Sequence, residues 1–211
     1  MTKANIFIDT IPVGEIETNC YLIGDGKEAI LIDPGEEAER IESLIKKRGV
    51  KIGRILLTHG HMDHIGAVSP LKKLTGAPVL IHSKDAIMLT DPKANLSGAF
   101  GNPFVADAAD GFLEDGDEIM AGDLILKVIY TPGHTPGGVS LYGANAGVVF
   151  TGDALFAGSI GRTDFPRSNY QMLINSIKQR LFVLPDKTIV YPGHGPQTTI
   201  GEEKSSNPWL S

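Results

Sequence analysis

The sequence predicts a chain that mixes strands and helices, of the α/β or α+β class. Short apolar runs rich in β-branched residues recur along its length, and Gly, Pro, Asp or Asn bounds each run. Stretches with helical periodicity lie between these runs. Because no low-complexity linker divides the 211 residues, we expect one domain that covers residues 1–211.

The predicted strands are apolar runs of three to seven residues, a length typical of strands rather than of helices. In chain order they cover residues 6–8, 20–23, 29–32, 55–57, 79–81, 124–130, 148–150 and 189–191. Cys20 alternates with Tyr21 in the second run, which predicts a small buried hydrophobic side chain rather than a nucleophile.

Helices are predicted where apolar residues recur at intervals of three and four. They cover residues 36–48, the stretch from His64 to Gly76, residues 84–89 and residues 170–182. Gly49 ends the first of these helices, and Ser168 is the predicted N-cap of the last. Residues 91–112 show no period, and a functional loop and a floppy insertion are equally open there.

The charge balance argues against several classes of partner. Lys and Arg number 19 and Asp and Glu number 25, which gives a net charge of −6 and a pI of about 5.5, unlike a nucleic-acid binder. No apolar stretch approaches the ~20 residues that span a bilayer, and residues 1–14 lack the apolar core of a signal peptide. With a single cysteine, the sequence predicts a cytoplasmic protein without a membrane or nucleic-acid partner, and it leaves the oligomeric state open.

Polar residues with metal-binding chemistry follow several of the predicted strands. Three histidines lie in THGHMDHIG, one in TPGHTPGG and one in YPGHGP, and an acid stands in FTGDALF. The candidate ligands are His59, His61, Asp63, His64, His134, Asp153 and His194. Because strand ends host the active sites of α/β folds, we expect these side chains to meet. His82 lacks the glycine turn, which predicts a structural role.

Imidazole nitrogens and carboxylates are the usual ligands of zinc and of related first-row metals. His59 and His61 share one face of extended backbone, whereas Asp63 and His64 can turn to the other side as a helix begins. With one bridging aspartate, two ions would each receive three ligands plus the bridge and keep a position for water. We therefore predict two divalent ions, with zinc as the expected metal and iron or manganese as alternatives. Such a site is net positive, which suits an anionic substrate.

These motifs resemble those of the metallo-β-lactamase-fold hydrolases. Within that superfamily the chain is most similar to the glyoxalase II group, the hydroxyacylglutathione hydrolases, and to its short bacterial members. GSIGRTDFP and YPGHGPQTTIGEEK carry this closer resemblance. The resemblance implies an α+β fold, an αββα four-layer sandwich of two mixed β-sheets with helices outside and the metals at one edge.

The resemblance also implies a division of the ligands. A first metal would take His59, His61 and His134, a second would take Asp63, His64 and His194, and Asp153 would bridge them. Asp33, in LIDPG, matches an acid that supports the metal loop, and it also suits the N-terminal turn of the helix that follows. Arg162 and Tyr191 are candidate substrate contacts, although Arg162 can equally pair with Asp164.

The activity implied is hydrolysis of small acyl thioesters, of the kind that turns S-2-hydroxyacylglutathione into a 2-hydroxy acid and a thiol. A metal-bridging hydroxide would be the nucleophile, Asp153 its bridging ligand and Asp63 a ligand that also accepts its proton. No cysteine stands among the ligands, which argues against β-lactam hydrolysis. Only the 17 residues 195–211 follow His194, so the helical domain that binds glutathione in longer relatives is not expected.

Other functions remain as alternatives. Persulfide dioxygenases share this fold and the GRTDF segment, and they use one iron, held by the equivalents of His59, His134 and Asp153. A non-catalytic metal scaffold is a third reading, but a structural zinc site is normally closed by four ligands. A nuclease function is the least favoured alternative, since the chain is acidic and has no basic patch.

Overall fold

A computed structural model describes residues 6–210 and arranges them in four layers. Three buried apolar clusters separate the layers. One lies between a first sheet and its helices, one between the two sheets, and one between the second sheet and the remaining helices. This arrangement confirms the predicted αββα sandwich. The prediction that residues 1–14 are not a signal peptide falls partly on residues 1–5, which lie outside the described residues.

Six strands form the first sheet within the described residues. They are β1 (Phe7–Val13), β2 (Thr18–Gly24), β3 (Glu28–Ile32), β4 (Lys51–Leu56), β5 (Val79–Ile81) and β6 (Gly111–Phe112), side by side in chain order. The first three pair antiparallel, and β3 to β6 pair parallel. Parallel pairing brings the carboxyl ends of β3, β4 and β5 to one edge, where the loops of the candidate site begin.

The second sheet contains β7 (Glu118–Ala121), β8 (Leu124–Tyr130), β9 (Val139–Gly143) and β10 (Val148–Gly152). After a separate hairpin of β11 (Leu155–Phe156) and β12 (Ser159–Ile160), it is completed by β13 (Ile189–Pro192) and β14 (Thr198–Thr199). The order is β14-β13-β10-β9-β8-β7, and β10 and β13 pair parallel while the other neighbours pair antiparallel. Both sheets are therefore mixed.

The central strands are buried on both faces. Along β3, Ala29 and Leu31 pack towards the helices, whereas Ile30 and Ile32 pack towards the other sheet. Successive side chains of a strand point to opposite faces, so each of these strands needs apolar residues at every position. This explains why they appear in the sequence as continuous apolar runs.

The helices are α1 (Ala38–Arg48), α2 (Met62–Ile65), α3 (Val68–Thr75), α4 (Ala86–Thr90), α5 (Tyr170–Ser176) and α6 (Ile200–Ser206). Gly49 is the C-cap of α1, with a φ of 65°. The predicted N-cap of α5 is wrong, because the side chain of Asn169 accepts from the N–H of Met172 at 2.9 Å. The hydroxyl of Ser168 instead donates to the carbonyl of His134 at 2.8 Å. The predicted helix 170–182 also changes at Ile177–Leu181 to π-helical turns.

The aperiodic segment 91–112 packs beneath the first metal-binding motif. Asn95 and Ser97 are fully buried, and the carbonyl of Asn95 accepts from the N–H of Met62 at 3.0 Å. Cys20 is buried as predicted. Across residues 6–210, no helix combines the length and the apolar character needed to cross a bilayer.

Candidate metal centre

The seven predicted ligands converge at the edge of the sandwich where their strands end. Beside the set that Asp33 forms with His59 and His64, two sets of three drawn from these seven side chains each place ligand atoms within 4.8 Å of one another. We call them the three-histidine group and the aspartate group, and they consist of His59, His61 and His134 and of Asp63, His64 and His194, respectively. These are the sets that the resemblance implies for a first and a second metal.

Asp153, which follows β10, faces both groups. Its Oδ2 lies 3.4 Å from Nε2 of His134 and 3.7 Å from Nε2 of His194, and its Oδ1 lies 3.4 Å from Nε2 of His64. One carboxylate therefore stands between the two groups, where a bridging ligand would have to lie. Gly193 allows this approach, because a Cβ there would meet Asp153 Oδ1 at 2.2 Å.

Four of the five histidines present Nε2 to the centre, because Nδ1 of each donates to an oxygen behind it. The acceptors are the hydroxyl of Thr58 for His59 (3.1 Å), the carboxylate of Asp33 for His64 (3.0 Å), the carbonyl of Arg162 for His134 (2.7 Å) and the carbonyl of Ile16 for His194 (3.1 Å). His61 is oriented the other way, with Nδ1 2.9 Å from Nε2 of His134. A proton fixed on one ring nitrogen leaves the lone pair of the other free to bind a cation.

Three buried side-chain nitrogen and oxygen atoms of the described residues have no hydrogen-bond partner, and all three lie in this centre. They are Nε2 of His59, Nε2 of His64 and Oδ1 of Asp153. An unpaired buried acceptor is costly, so native proteins rarely keep one that no ligand satisfies. Two imidazole lone pairs and a carboxylate oxygen suit zinc or iron. The residues present therefore fit metal ions.

Burial keeps two histidines of the three-histidine group, His59 and His61, uncharged. Removal from water lowers the pKa of His59 well below its ordinary value, and the neighbouring His64 adds to this effect. Burial, assisted by His134, lowers the pKa of His61 to about 3. Both rings are therefore neutral at pH 7, which is the form that binds a metal.

The aspartate group has the opposite polarity. Burial alone would lower the pKa of His64, but the carboxylates of Asp63, Asp153 and Asp33 raise it well above its ordinary value. Burial would also lower the pKa of His194, but its hydrogen bond to Asp63 and the negative charges of Asp153 and Asp63 together raise it. Burial would raise the pKa of Asp63 and Asp153, yet His64 holds both below the usual range. These carboxylates therefore attract a positive charge, whether a proton or a metal cation.

Asp33 supports both groups from behind. Its φ of 49° is left-handed, a strained conformation for a residue other than glycine and one that clusters at functional sites. Oδ1 accepts from the N–H of Thr58 at 2.8 Å, and Oδ2 accepts from the Thr58 hydroxyl at 2.6 Å and from His64 at 3.0 Å. Because the Thr58 hydroxyl gives its proton to Asp33, it accepts from His59. Asp33 thus orients one histidine of each group.

Sequence reasoning missed three residues of β2 that hold the aspartate group. The hydroxyl of Thr18 donates to Asp63 Oδ2 at 2.9 Å. The side chain of Asn19 and the hydroxyl of Tyr21 donate to the carbonyl of Pro192, at 3.0 Å and 2.5 Å, just before the His194 turn. A polar Asn19 inside an otherwise apolar strand was the available signal, since buried polar groups need partners.

The two predicted substrate contacts lie in different surroundings. Arg162 is exposed, and its Nε and Nη2 each donate to the carboxylate of Asp164 at 2.9 Å. Tyr191 instead packs in the core, with its ring centroid 5.1 Å from Phe150 and 5.5 Å from Tyr21. Contact of Tyr191 with substrate stays a prediction.

Access to the centre is uneven. The His64 side chain is 0% exposed, whereas that of His194 is 25% exposed. Aromatic rings stand beside both groups: the centroid of Phe165 lies 5.5 Å from that of His61, and the centroid of Phe156 lies 6.1 Å from that of His194. A small molecule would therefore reach the ligands past apolar rings, with His194 the more open side. His82 takes no part here and stacks on Tyr130, with centroids 4.6 Å apart.

Comparison with known sequences agrees with this geometry. Residues 13–194 match the family model of the metallo-beta-lactamase superfamily. A relative from Haemophilus influenzae, named hydroxyacylglutathione hydrolase GloC, is 41% identical over 211 residues. That match covers 97% of this chain and 98% of the relative.

Solved structures share the fold at similar identity. The crystal structure of the BLEG-1 B3 metallo-beta-lactamase has a TM-score of 0.94 and 41% identity, and the match covers 97% of this chain and 100% of that one. TTHA1623 in a di-iron-bound form has a TM-score of 0.87 and 39% identity, covering 96% and 100%. ETHE1 from Myxococcus xanthus has a TM-score of 0.80 and 34% identity, covering 96% and 83%.

Proposed function

The chain belongs to the metallo-beta-lactamase superfamily, and from that premise we propose that it hydrolyses small acyl thioesters such as S-2-hydroxyacylglutathione. The observation that carries the proposal is the convergence of two ligand groups on one carboxylate, Asp153, with three buried acceptor atoms left unpaired. The relative named hydroxyacylglutathione hydrolase supports the thioester substrate. A cytoplasmic location belongs to the same proposal and is supported by the single, buried Cys20.

Two divalent ions would be held by the three-histidine group and the aspartate group, with Asp153 between them. Zinc is the expected metal. When bound, such ions supply a water with a pKa lowered to about 7 and a positive charge opposite a developing oxyanion. The similarity to a di-iron structure keeps iron as the alternative to zinc.

The chain itself contributes orientation and charge. Asp33 and the carbonyls of Ile16 and Arg162 fix the tautomers of their histidines, so little rearrangement is needed when a cation binds. The Thr18 hydroxyl, 2.9 Å from Asp63 Oδ2, holds that carboxylate towards His194. The proton-accepting role of Asp63 stays a prediction.

A paired assay tests the proposal. Zinc and iron are counted per chain on protein as isolated, and hydrolysis of S-D-lactoylglutathione is followed in parallel with that of an acyl thioester of a small uncharged thiol. We expect about two ions per chain and turnover of at least one thioester. Two bound ions without thioester turnover would contradict the proposed substrate class. If only the thioester of the uncharged thiol is hydrolysed, the chain does not recognise the glutathione half of the substrate.

A second candidate function is persulfide oxidation. It is favoured by the similarity to ETHE1 and by His59, His134 and Asp153, the set expected to hold a single iron. One iron per chain, with oxygen uptake on glutathione persulfide, would favour this function over thioester hydrolysis. His194→Ala separates the two, because a one-iron site does not use His194.

β-Lactam hydrolysis belongs in the same set of assays. No cysteine stands among the predicted ligands, and Cys20 is buried in a strand. However, a protein described as a B3 metallo-beta-lactamase is 41% identical to this chain, so the absence of a cysteine ligand does not exclude β-lactam substrates. If nitrocefin is hydrolysed faster than the thioesters, a β-lactam rather than a thioester is the preferred substrate.

A further inference from the structure

A buried carboxylate outside the ligand set fastens the loop that carries His134. Asp85 ends a single 3₁₀ turn, Ser83–Asp85, and is 0% exposed. Its Oδ2 accepts from the hydroxyl of Thr135 at 2.6 Å, and its Oδ1 accepts from the N–H of Gly137 at 2.7 Å. Both donors lie within three residues of His134, although they are 50 and 52 positions away from Asp85 in the chain.

The contact between Asp85 and this loop is close and specific. A Cβ at Gly137 would stand 2.6 Å from the carboxyl carbon of Asp85, so no other residue fits there without displacing the carboxylate. Burial raises the pKa of Asp85, and the hydrogen bonds from Thr135 and Gly137 oppose that shift. A buried carboxylate is costly unless its oxygens are satisfied, so these two bonds define where the loop must lie.

The same short segment holds the loop at a second point. The Lys84 ammonium donates to the hydroxyl of Tyr130 at 2.8 Å, and that hydroxyl donates to the carbonyl of Pro136 at 2.7 Å. The loop is thus attached at Pro136 through Tyr130 and on both sides of Pro136 through Asp85. Of the two attachments, the one through Asp85 is buried and the one through Lys84 is exposed, so the first is the more rigid.

His134 is the ligand that depends on this loop. Its Nε2 lies 2.9 Å from Nδ1 of His61 and 3.4 Å from Oδ2 of Asp153, so a small displacement changes the three-histidine group and its distance to the shared carboxylate. We propose that Asp85 is the positioning residue of His134: by fixing Thr135 and Gly137, it sets where the third nitrogen of the three-histidine group lies. This rests on the proposed function only in that the centre binds metal.

The test compares Asp85→Ala and Asp85→Asn with a matched control, Glu203→Gln. Glu203 is also buried, and it accepts from the N–H of Gly158 at 2.9 Å, the Thr198 hydroxyl at 2.6 Å and the Asn207 amide at 2.7 Å, but it supports α6 and the β11–β12 hairpin. Metal-free protein is titrated with Co²⁺. The binding constant of each equivalent and the visible spectrum are recorded, and thermal unfolding of the metal-free protein reports stability.

We expect Asp85→Ala to weaken one Co²⁺ equivalent by about 10- to 100-fold and to change its visible spectrum, as loss of an outer support of a ligand does. Asp85→Asn keeps an acceptor oxygen for Gly137 and should fall between wild type and alanine. Glu203→Gln should lower the unfolding temperature while leaving both equivalents and the spectrum unchanged.

Asp85 variants with wild-type Co²⁺ affinities and spectrum, whatever their unfolding temperature, would overturn the assignment. No substrate enters the experiment, so its result is independent of the thioester assay. A chain that binds two ions and hydrolyses no thioester would contradict the proposed function and leave the role of Asp85 standing. A wild-type chain that binds no Co²⁺ would overturn both.

Discussion

The three-histidine group and the aspartate group lie side by side, share Asp153 and yet differ in charge and access. The first is buried, and His59 and His61 are kept neutral by burial. The second contains a carboxylate, raises the pKa of its two histidines and leaves His194 25% exposed. The two groups share the loop that carries His59 to His64 and the support of Asp33. His134 and His194, however, lie on different loops with different acceptors, so we expect a change at one of these two to leave the other in place. We therefore expect the centre to behave as two separable half-sites joined by one carboxylate.

Replacement of the shared carboxylate should have the largest effect. Asp153→Asn removes the charge that faces His134, His64 and His194, and bound metals supply several kcal/mol of transition-state stabilisation, so we expect kcat/KM for a thioester to fall by about 10³-fold or more. The exposed Asp186→Asn is the control. Retention of full thioesterase activity by Asp153→Asn, with its metal in place, would contradict a shared role for this residue.

Removal of one ligand from each group tests whether the half-sites separate. In both His61→Ala and His194→Ala we expect about one ion per chain to remain, because the other group keeps its three ligands and Asp153. Metal content and thioesterase rate are measured on each. Glu203→Gln, which alters a buried carboxylate outside the centre, should keep both ions. Loss of both ions from either single variant would show that the groups bind only as a unit.

Acid should affect the half-sites unequally. The raised pKa of His64 and His194 means that each holds a proton above pH 6.5, and a metal must displace it. Affinity at the aspartate group should therefore already fall with decreasing pH above pH 6.5. The pKa of His61 is lowered to about 3, so proton competition at that ligand begins only near that pH. Chelator competition at several pH values should show one ion released before the other. Simultaneous release would contradict the difference in charge.

The sequence predicted the ligands of both half-sites because each follows a buried strand and a tight turn. Strand ends meet at an edge, so local patterns such as THGHMDHIG and YPGHGP were enough to place them together. The supports were not predicted. Asp85 and Asn19 act on loops 50 and 173 positions away, and a local pattern, even where it shows a buried polar residue such as Asn19, does not identify a partner across such a distance. The family resemblance, rather than the local pattern, supplied Asp33.

For the secondary structure as well, the sequence predicted some elements and missed others. β3 and β10 were predicted because both faces are buried and the apolar run is continuous. β9 has a polar Ser140 inside it, and β7 and β14 are short edge strands, so their sequences carry no comparable run. The choice of Asn169 over Ser168 as the cap of α5 depends on the loop after β8, because the Ser168 hydroxyl is bound to His134.

The smallest expected effects concern Arg162, which stands beside the three-histidine group because its carbonyl accepts from His134. Its side chain is paired with Asp164, so an anionic substrate would have to compete with that carboxylate. If Arg162 binds substrate, Arg162→Ala should raise KM for an anionic thioester, and Asp164→Ala, which frees the guanidinium, should lower it. Exposed ion pairs are weak, so each change should be about two- to fivefold with kcat unchanged. If the pair only shapes the loop, both variants should instead change KM in the same direction, because each removes the same contact. Steady-state kinetics with anionic and uncharged thioesters decides between these results, since a clamp affects only the anionic one.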